Sequence, residues 1–228
     1  MTVRVYDIGE TCVALAFEAR VDPPINESCA AVAGAVADLR LPGVRDVVAT
    51  YHTVAVHFDP LTADRGAVVE TLERAARTPG RGPSVPAAVH DVPACYGGEY
   101  GPDLGEVARF AKCSEQDVVR LHGGLAYRVY MMGFLPGFPY LASVDPRLRL
   151  PRHQTPRPRV PAGSVAIAGF QTGIYPLESP GGWRVIGRTW IRPFDLARER
   201  PLLFSVGDRV RFVPVGPDDF ARAIEAQG

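Results

Sequence analysis

The chain has 228 residues, 46% of them hydrophobic, and its 25 Lys plus Arg are matched by 25 Asp plus Glu for a formal net charge of zero. That length and apolar content suit two small cores, while the neutral balance gives no general pull toward nucleic acid or an anionic membrane. Every apolar run is broken well short of the roughly 20 residues a membrane-spanning helix needs, and Met1 to Asp7 lacks the basic-then-apolar pattern of a signal peptide, so we expect a cytoplasmic protein with neither nucleic-acid nor membrane partners.

In chain order, Val3 to Ile8 alternates as a short strand and Cys12 to Phe17 reads as a second. Asp22 with the prolines after it opens a helix, whose apolar face is Cys29, Val32, Ala33, Val36 and Leu39. Strands are expected over Val44–Ala49 and Tyr51–Phe58, the latter with His52, Val54, Val56 and Phe58 on one face. Thr62 caps a further helix that buries Val68, Leu72, Ala75 and Ala76, and Val85–Val92 is a last strand. From Cys12 onward the order is strand, helix, strand, strand, helix, strand, the split βαβ order of a ferredoxin-like α/β domain, placed at residues 1–92.

The remainder, 93–228, begins with two short helices over about 104–121, Ser114 and Asp117 forming a capping box on the second. Helical periodicity then vanishes until Asp218–Ala226. Strands at Leu125–Met132, Val165–Ala168, Arg184–Ile186 and Asp208–Val213, divided by Gly/Pro turns, fit a closed or nearly closed barrel. The fold class is therefore α+β.

Phosphate-cradling Gly-rich motifs and a Gly-x-Ser-x-Gly elbow are both missing from the sequence. Cys12, Cys29, Cys95 and Cys113 are scattered and read as reduced thiols, and neither they nor the five histidines have metal-ligand spacing, so no metal site is expected. The densest polar cluster lies between Gly163 and Trp183, where Gln171, Thr172, Tyr175, Glu178 and Ser179 crowd a β-rich platform of glycines and prolines. His122, at a helix end before two glycines, can cap the last carbonyls or reach the barrel mouth as a general base. Phe134, Phe138 and Tyr140 form a looped aromatic cluster, either core or pocket wall, and Trp183 is a core anchor or pocket lining. Arg157 and Arg188 can each grip an anion with a bidentate fork or sit in an exposed ion pair. The basic run Arg147 to Arg159, in which Arg147, Arg149, Arg152, Arg157 and Arg159 are interleaved with prolines, offers either an anion site or a solvated, extended connection, and the second is the expected reading.

Several long segments, among them Ala94 to Leu104, Gly133 to Leu141, Val160 to Val165, Gln171 to Pro176, Ser179 to Trp183 and Ile186 to Thr189, resemble the KipI family, which includes the B-type subunit of bacterial 5-oxoprolinase and is similar to part of the carboxyltransferase region of urea carboxylase. The resemblance covers nearly the whole chain. It implies a C-terminal cyclophilin-like barrel and a role beside a homologous larger C-type subunit of 5-oxoprolinase, and beside a ring-opening A-type subunit, in activating 5-oxo-L-proline using ATP with Mg²⁺. By the resemblance, Gln171, Thr172 and Tyr175 are candidate catalytic groups, Ser179, Gly181 and Gly182 candidate substrate or nucleotide contacts, and Arg157 or Arg188 the anion clamp. Residue type and position add His122 to the catalytic candidates and Phe134, Phe138 and Trp183 to the substrate or nucleotide contacts. Members have also been labelled allophanate hydrolase subunit 1, although the Ser-Ser-Lys arrangement of such amidases is not found here. KipI itself inhibits a sensor histidine kinase, so a kinase-docking regulator is the alternative.

Overall fold

A computed structural model describes residues 3–77 and 87–226, which form two compact units, residues 1–86 and 87–228. The first unit holds β1 (Arg4–Asp7), β2 (Cys12–Ala16), α1 (Pro23–Asp38), β3 (Val44–Ala49), β4 (Thr53–Phe58) and α2 (Arg65–Arg77). Asp22 caps α1 by accepting from the Ile25 N–H, with prolines in the first turn. At α2 the cap is Asp64, which accepts from the N–H groups of Gly66 and Ala67, rather than Thr62. Alternation in β4 works as the pattern requires: Val54, Val56 and Phe58 are buried against Ile25, Cys29, Val32, Val68 and Leu72 of the two helices.

The four-stranded sheet runs β1-β2-β4-β3. Its place beside β2 is taken by β1, antiparallel to it, and not by the strand expected at Val85–Val92. Residues 85 and 86 of that stretch lie outside the described residues, and the strand that follows, β5 (Val89–Tyr96), belongs to the second unit. The boundary therefore falls at 86/87 instead of 92/93, because β5 pairs with strands near the C-terminus.

The second unit continues with α3 (Leu104–Ala111), α4 (Glu115–Gly123), β6 (Ala126–Met132), β7 (Pro139–Ala142), β8 (Arg157–Val160), β9 (Ser164–Ala168), β10 (Gln171–Ile174), β11 (Ser179–Gly181), β12 (Arg184–Arg188), β13 (Arg209–Pro214) and α5 (Pro217–Glu225). Seven strands close into a barrel, β10-β7-β6-β13-β5-β12-β9, and β8 and β11 pair as a separate ribbon. Its interior is filled by Val92, Tyr127, Val129, Leu141, Val165, Ile167, Ile174, Ile186, Val210 and Phe212, with Leu104, Val107 and Val118 added from α3 and α4. The capping box of Ser114 and Asp117 is formed as the spacing predicts.

β9 is buried along its whole length. Val165 and Ile167 enter the barrel core, whereas Ala166 and Ala168 face a second apolar cluster of Phe138, Val160, Tyr175, Trp183 and Val185. Side chains alternate across a strand, so the small alanines leave room on that side for an aromatic layer. This layer holds the candidate site.

Candidate functional site

Phe138 is the centre of the layer. Its ring meets Trp183 at 5.3 Å and Tyr175 at 5.2 Å in edge-on geometry and Tyr140 at 4.9 Å with a tilt, contacts that favour specific ring orientations by about 0.5–1.5 kcal/mol each beyond burial. Gly173 makes the seat possible, since a Cβ there would lie 3.0 Å from the Phe138 ring. Gly181 does the same for Tyr175: a Cβ would come 2.9 Å from the phenol ring carbons and closer still to the hydroxyl. Tyr175 is held further by the Trp183 backbone N–H, and burial raises its phenol above the ordinary value despite that hydrogen bond.

These rings wall an open cavity of ≈ 270 Å³ lined by Phe134, Phe138, Tyr140, Arg152, Pro156, Tyr175 and the segment from Pro180 to Trp183. Phe134 stands at its rim, 61% exposed, with φ of 67°, a left-handed backbone uncommon for a bulky side chain. Its ring is edge-on to Phe138 at 5.7 Å and to Tyr175 at 6.5 Å. A strained, exposed aromatic beside a preformed cavity is the kind of feature that functional sites retain.

Six of the sequence-derived candidates meet here: Phe134, Phe138, Tyr175, Gly181, Gly182 and Trp183. The other six do not. His122 neither caps α4 nor reaches a mouth. It is fully buried in the barrel, its Nδ1 2.8 Å from the Tyr96 hydroxyl and its Nε2 2.8 Å from Thr172 Oγ1. Thr172 donates its own proton to the Ala166 carbonyl, so His122 Nε2 must carry the hydrogen and Nδ1 accepts from Tyr96. This neutral tautomer satisfies every polar atom in the chain of contacts. Burial lowers the His122 pKa to about 3, which leaves it uncharged and ill placed to exchange protons with a ligand.

Gln171 pairs in β10 with Ala142 and Ala168, and Ser179 in β11 turns its hydroxyl to the Pro180 carbonyl. Arg188 donates from Nε to the Ala162 carbonyl and lines a different cavity with Gly163, Pro176 and Trp190. Arg157 is committed to Asp103 through two parallel bonds of 2.6 and 2.7 Å.

Asp103 is the hub of a buried ionic network. It also accepts from the Val185 N–H at 2.7 Å and lies 3.3 Å from His153 Nε2, while Arg184 joins His153 to Glu106. Burial alone raises the Asp103 carboxyl; the bonds from Arg157, Val185 and His153 outweigh it and hold the group below the usual carboxylate value. Asp103, Glu106 and His153 bring ligand-type atoms within 4.8 Å of one another, but the Arg157 and Arg184 guanidiniums already occupy the carboxylates, which makes the group an ion-pair network. It pins the segment that carries Arg152 and Pro156, since His153 N–H also donates to the Gly182 carbonyl and Arg184 to that of Pro151.

Arg152 and Pro156 are the site residues that sequence reasoning missed. Both sit in the basic run read as a solvated connection, which instead contains β8 and arginines paired with Asp103, Asp145 and Glu178. Alternating proline and arginine gave no periodicity by which to place them.

Fold and site together define a closed β-barrel carrying an aromatic-walled pocket on its outer layer. The chain belongs to the family of the carboxyltransferase domain, subdomain C and D, whose model matches residues 3–204. It is 34% identical to the 5-oxoprolinase B-type subunit of Bacillus subtilis, over 96% of this chain and 97% of that one. Against the 5-oxoprolinase B-type subunit of Escherichia coli O157:H7 it is 40% identical, over 92% and 95% of the two chains. The solved structure of K. lactis urea amidolyase shares the fold, with a TM-score of 0.82 at 21% identity, over 98% of this chain and 15% of that one. Among the described residues no helix is long and apolar enough to cross a membrane.

Proposed function

We propose that this chain is the B-type subunit of an ATP-dependent 5-oxoprolinase. With a homologous larger C-type subunit it activates 5-oxo-L-proline, and an A-type subunit completes ring opening to L-glutamate. The observation that carries the reading is the match, over nearly the full length of both chains compared, to two relatives bearing the name of that B-type subunit. The pocket supports it. At ≈ 270 Å³ it falls just below the range of about 300–1,000 Å³ typical of sites for drug-sized ligands, a size suited to a small lactam. ATP and Mg²⁺ are assigned to the assembled complex.

The chemistry asks little of this chain beyond binding and shielding. A lactam carbonyl resists water. Attack of its oxygen on the γ-phosphorus, with release of ADP, makes the carbon electrophilic and turns the oxygen into a leaving group; one water then adds to the carbon, the C–N bond breaks as nitrogen takes up a proton to give the γ-acyl phosphate, and a second water hydrolyses that acyl phosphate to L-glutamate and phosphate. Aromatic walls exclude bulk water around the ring while preorganised donors hold it. The test is ADP release on adding 5-oxo-L-proline to this chain alone and then to its mixture with the C-type and A-type subunits. Release confined to the mixture and dependent on the lactam is expected. Silence of a folded, associated mixture overturns the assignment.

A further inference from the structure

We propose that Arg152 is the group that reads the carboxylate of the substrate, a small cyclic amide bearing one acid, with Phe134, Phe138, Tyr140 and Trp183 enclosing the ring. This inference rests on the 5-oxoprolinase reading above. It moves the anion clamp from Arg157 and Arg188, where sequence reasoning put it, to an arginine of the basic run expected to be a solvated connection.

Three observations converge on Arg152. It lines the aromatic cavity, and it makes no ion pair or hydrogen bond among the described residues, whereas Arg157 in the same run is held by Asp103 on two bonds and Arg184 behind the pocket by Glu106. Its guanidinium carbon stands over the Trp183 ring, 5.9 Å from the centroid. A guanidinium resting on an aromatic face keeps its in-plane N–H donors free, in the fork that matches a carboxylate. Finally, its backbone is fixed on both sides, by the Pro151 carbonyl accepting from Arg184 and by the His153 N–H donating to Gly182, so the clamp is positioned before the ligand arrives. The charge is also felt across the cavity: Arg152 opposes the rise that burial imposes on the phenols of Tyr140 and Tyr175.

A lactam without the acid fills the same walls but leaves the guanidinium unused. Discrimination between 5-oxo-L-proline and its uncharged carboxamide is therefore the signature of this residue. The experiment is lactam-dependent ADP release by the assembled complex, comparing wild type with Arg152→Gln and Arg152→Lys on both compounds. In Arg152→Gln we expect KM for 5-oxo-L-proline to rise at least tenfold with kcat changed far less, the loss of binding made equally in ground and transition states, and the preference for the acid over the carboxamide to collapse toward one. Arg152→Lys should recover part of the preference. Arg152 is exposed and unpaired, so the substitutions leave folding intact. An active complex in which Arg152→Gln keeps the wild-type KM and preference overturns the inference and leaves the 5-oxoprolinase reading standing. A wild-type complex silent with 5-oxo-L-proline overturns both.

Discussion

Replacing His122 with Gln tests the account of the barrel interior. His122 is fully buried and neutral, with a pKa lowered to about 3 by desolvation against an ordinary 6.5. The unfolded chain binds a proton as pH falls through 6.5 and the native chain does not until pH approaches 3, so the native state loses stability as pH drops through that window, by up to about 1.4 kcal/mol per pH unit. Integrated from pH 7.5 to pH 5, the loss from this one group is about 2 kcal/mol. Glutamine can donate to Thr172 and accept from Tyr96 but does not titrate. The difference in unfolding free energy between wild type and His122→Gln should thus shrink by about 2 kcal/mol over that range. Urea titrations followed by tryptophan emission suit the measurement, because both tryptophans, Trp183 and Trp190, lie in the barrel unit. If the two proteins lose stability in parallel, His122 is not held neutral; if wild type gains relative to the variant as pH falls, the imidazole is charged in the native state and the hydrogen-bond assignment is wrong.

Gly181→Ala places a methyl group against the buried Tyr175 ring and should destabilise the barrel unit by about 1–3 kcal/mol, as overpacking does, and abolish lactam-dependent turnover. Gly182→Ala meets its first neighbour, the His153 carbonyl, at 3.6 Å and should leave the melting temperature unchanged, which makes the pair a check on the local geometry. Asp103→Ala strands the Arg157 guanidinium and the Val185 N–H; Arg157 keeps a 33% exposed side chain, so we expect a loss near the lower end of the about 3–5 kcal/mol typical of broken buried pairs, read by chemical denaturation. In wild type the stabilisation from Asp103 is complete above about pH 4 and is lost as pH falls through its depressed pKa. Asp91→Asn, by contrast, removes an exposed partner of Arg211 and should not shift the melting temperature measurably.

Legibility followed periodicity. α1, α2, β4 and the Ser114 capping box are readable because one buried face repeats in each helix and strand and the cap has a fixed spacing. β7, β8, β10 and β11 are three or four residues long and carry Gly or Pro or abut them, too short for alternation to register, and their pairing comes from barrel closure, which no local window contains. A local reading puts β5 in the wrong unit for the same reason: nothing in Val89–Tyr96 announces a partner at Arg209–Pro214. At the site, aromatics and glycines are legible as a cluster, since Phe134, Phe138 and Trp183 lie among turn residues. Polar roles are not. His122, Arg157 and Arg152 have side chains that suit a ligand, and only burial and partners decide that the first two are occupied and the third is free.

The closure of the barrel through β13 also orders events during synthesis. β13 lies between β5, to which it is parallel, and β6, and the cross-strand pair Arg211–Asp91 spans a sequence separation of 120 residues. Until the ribosome has released that last strand, β5 and β6 each present an unpaired edge, able to recruit a strand from another nascent chain. The synthesis of β13 is thus what converts an open, association-prone sheet into a sealed one. Damage or early termination just upstream of Arg209 should yield aggregates in place of a truncated but soluble pocket.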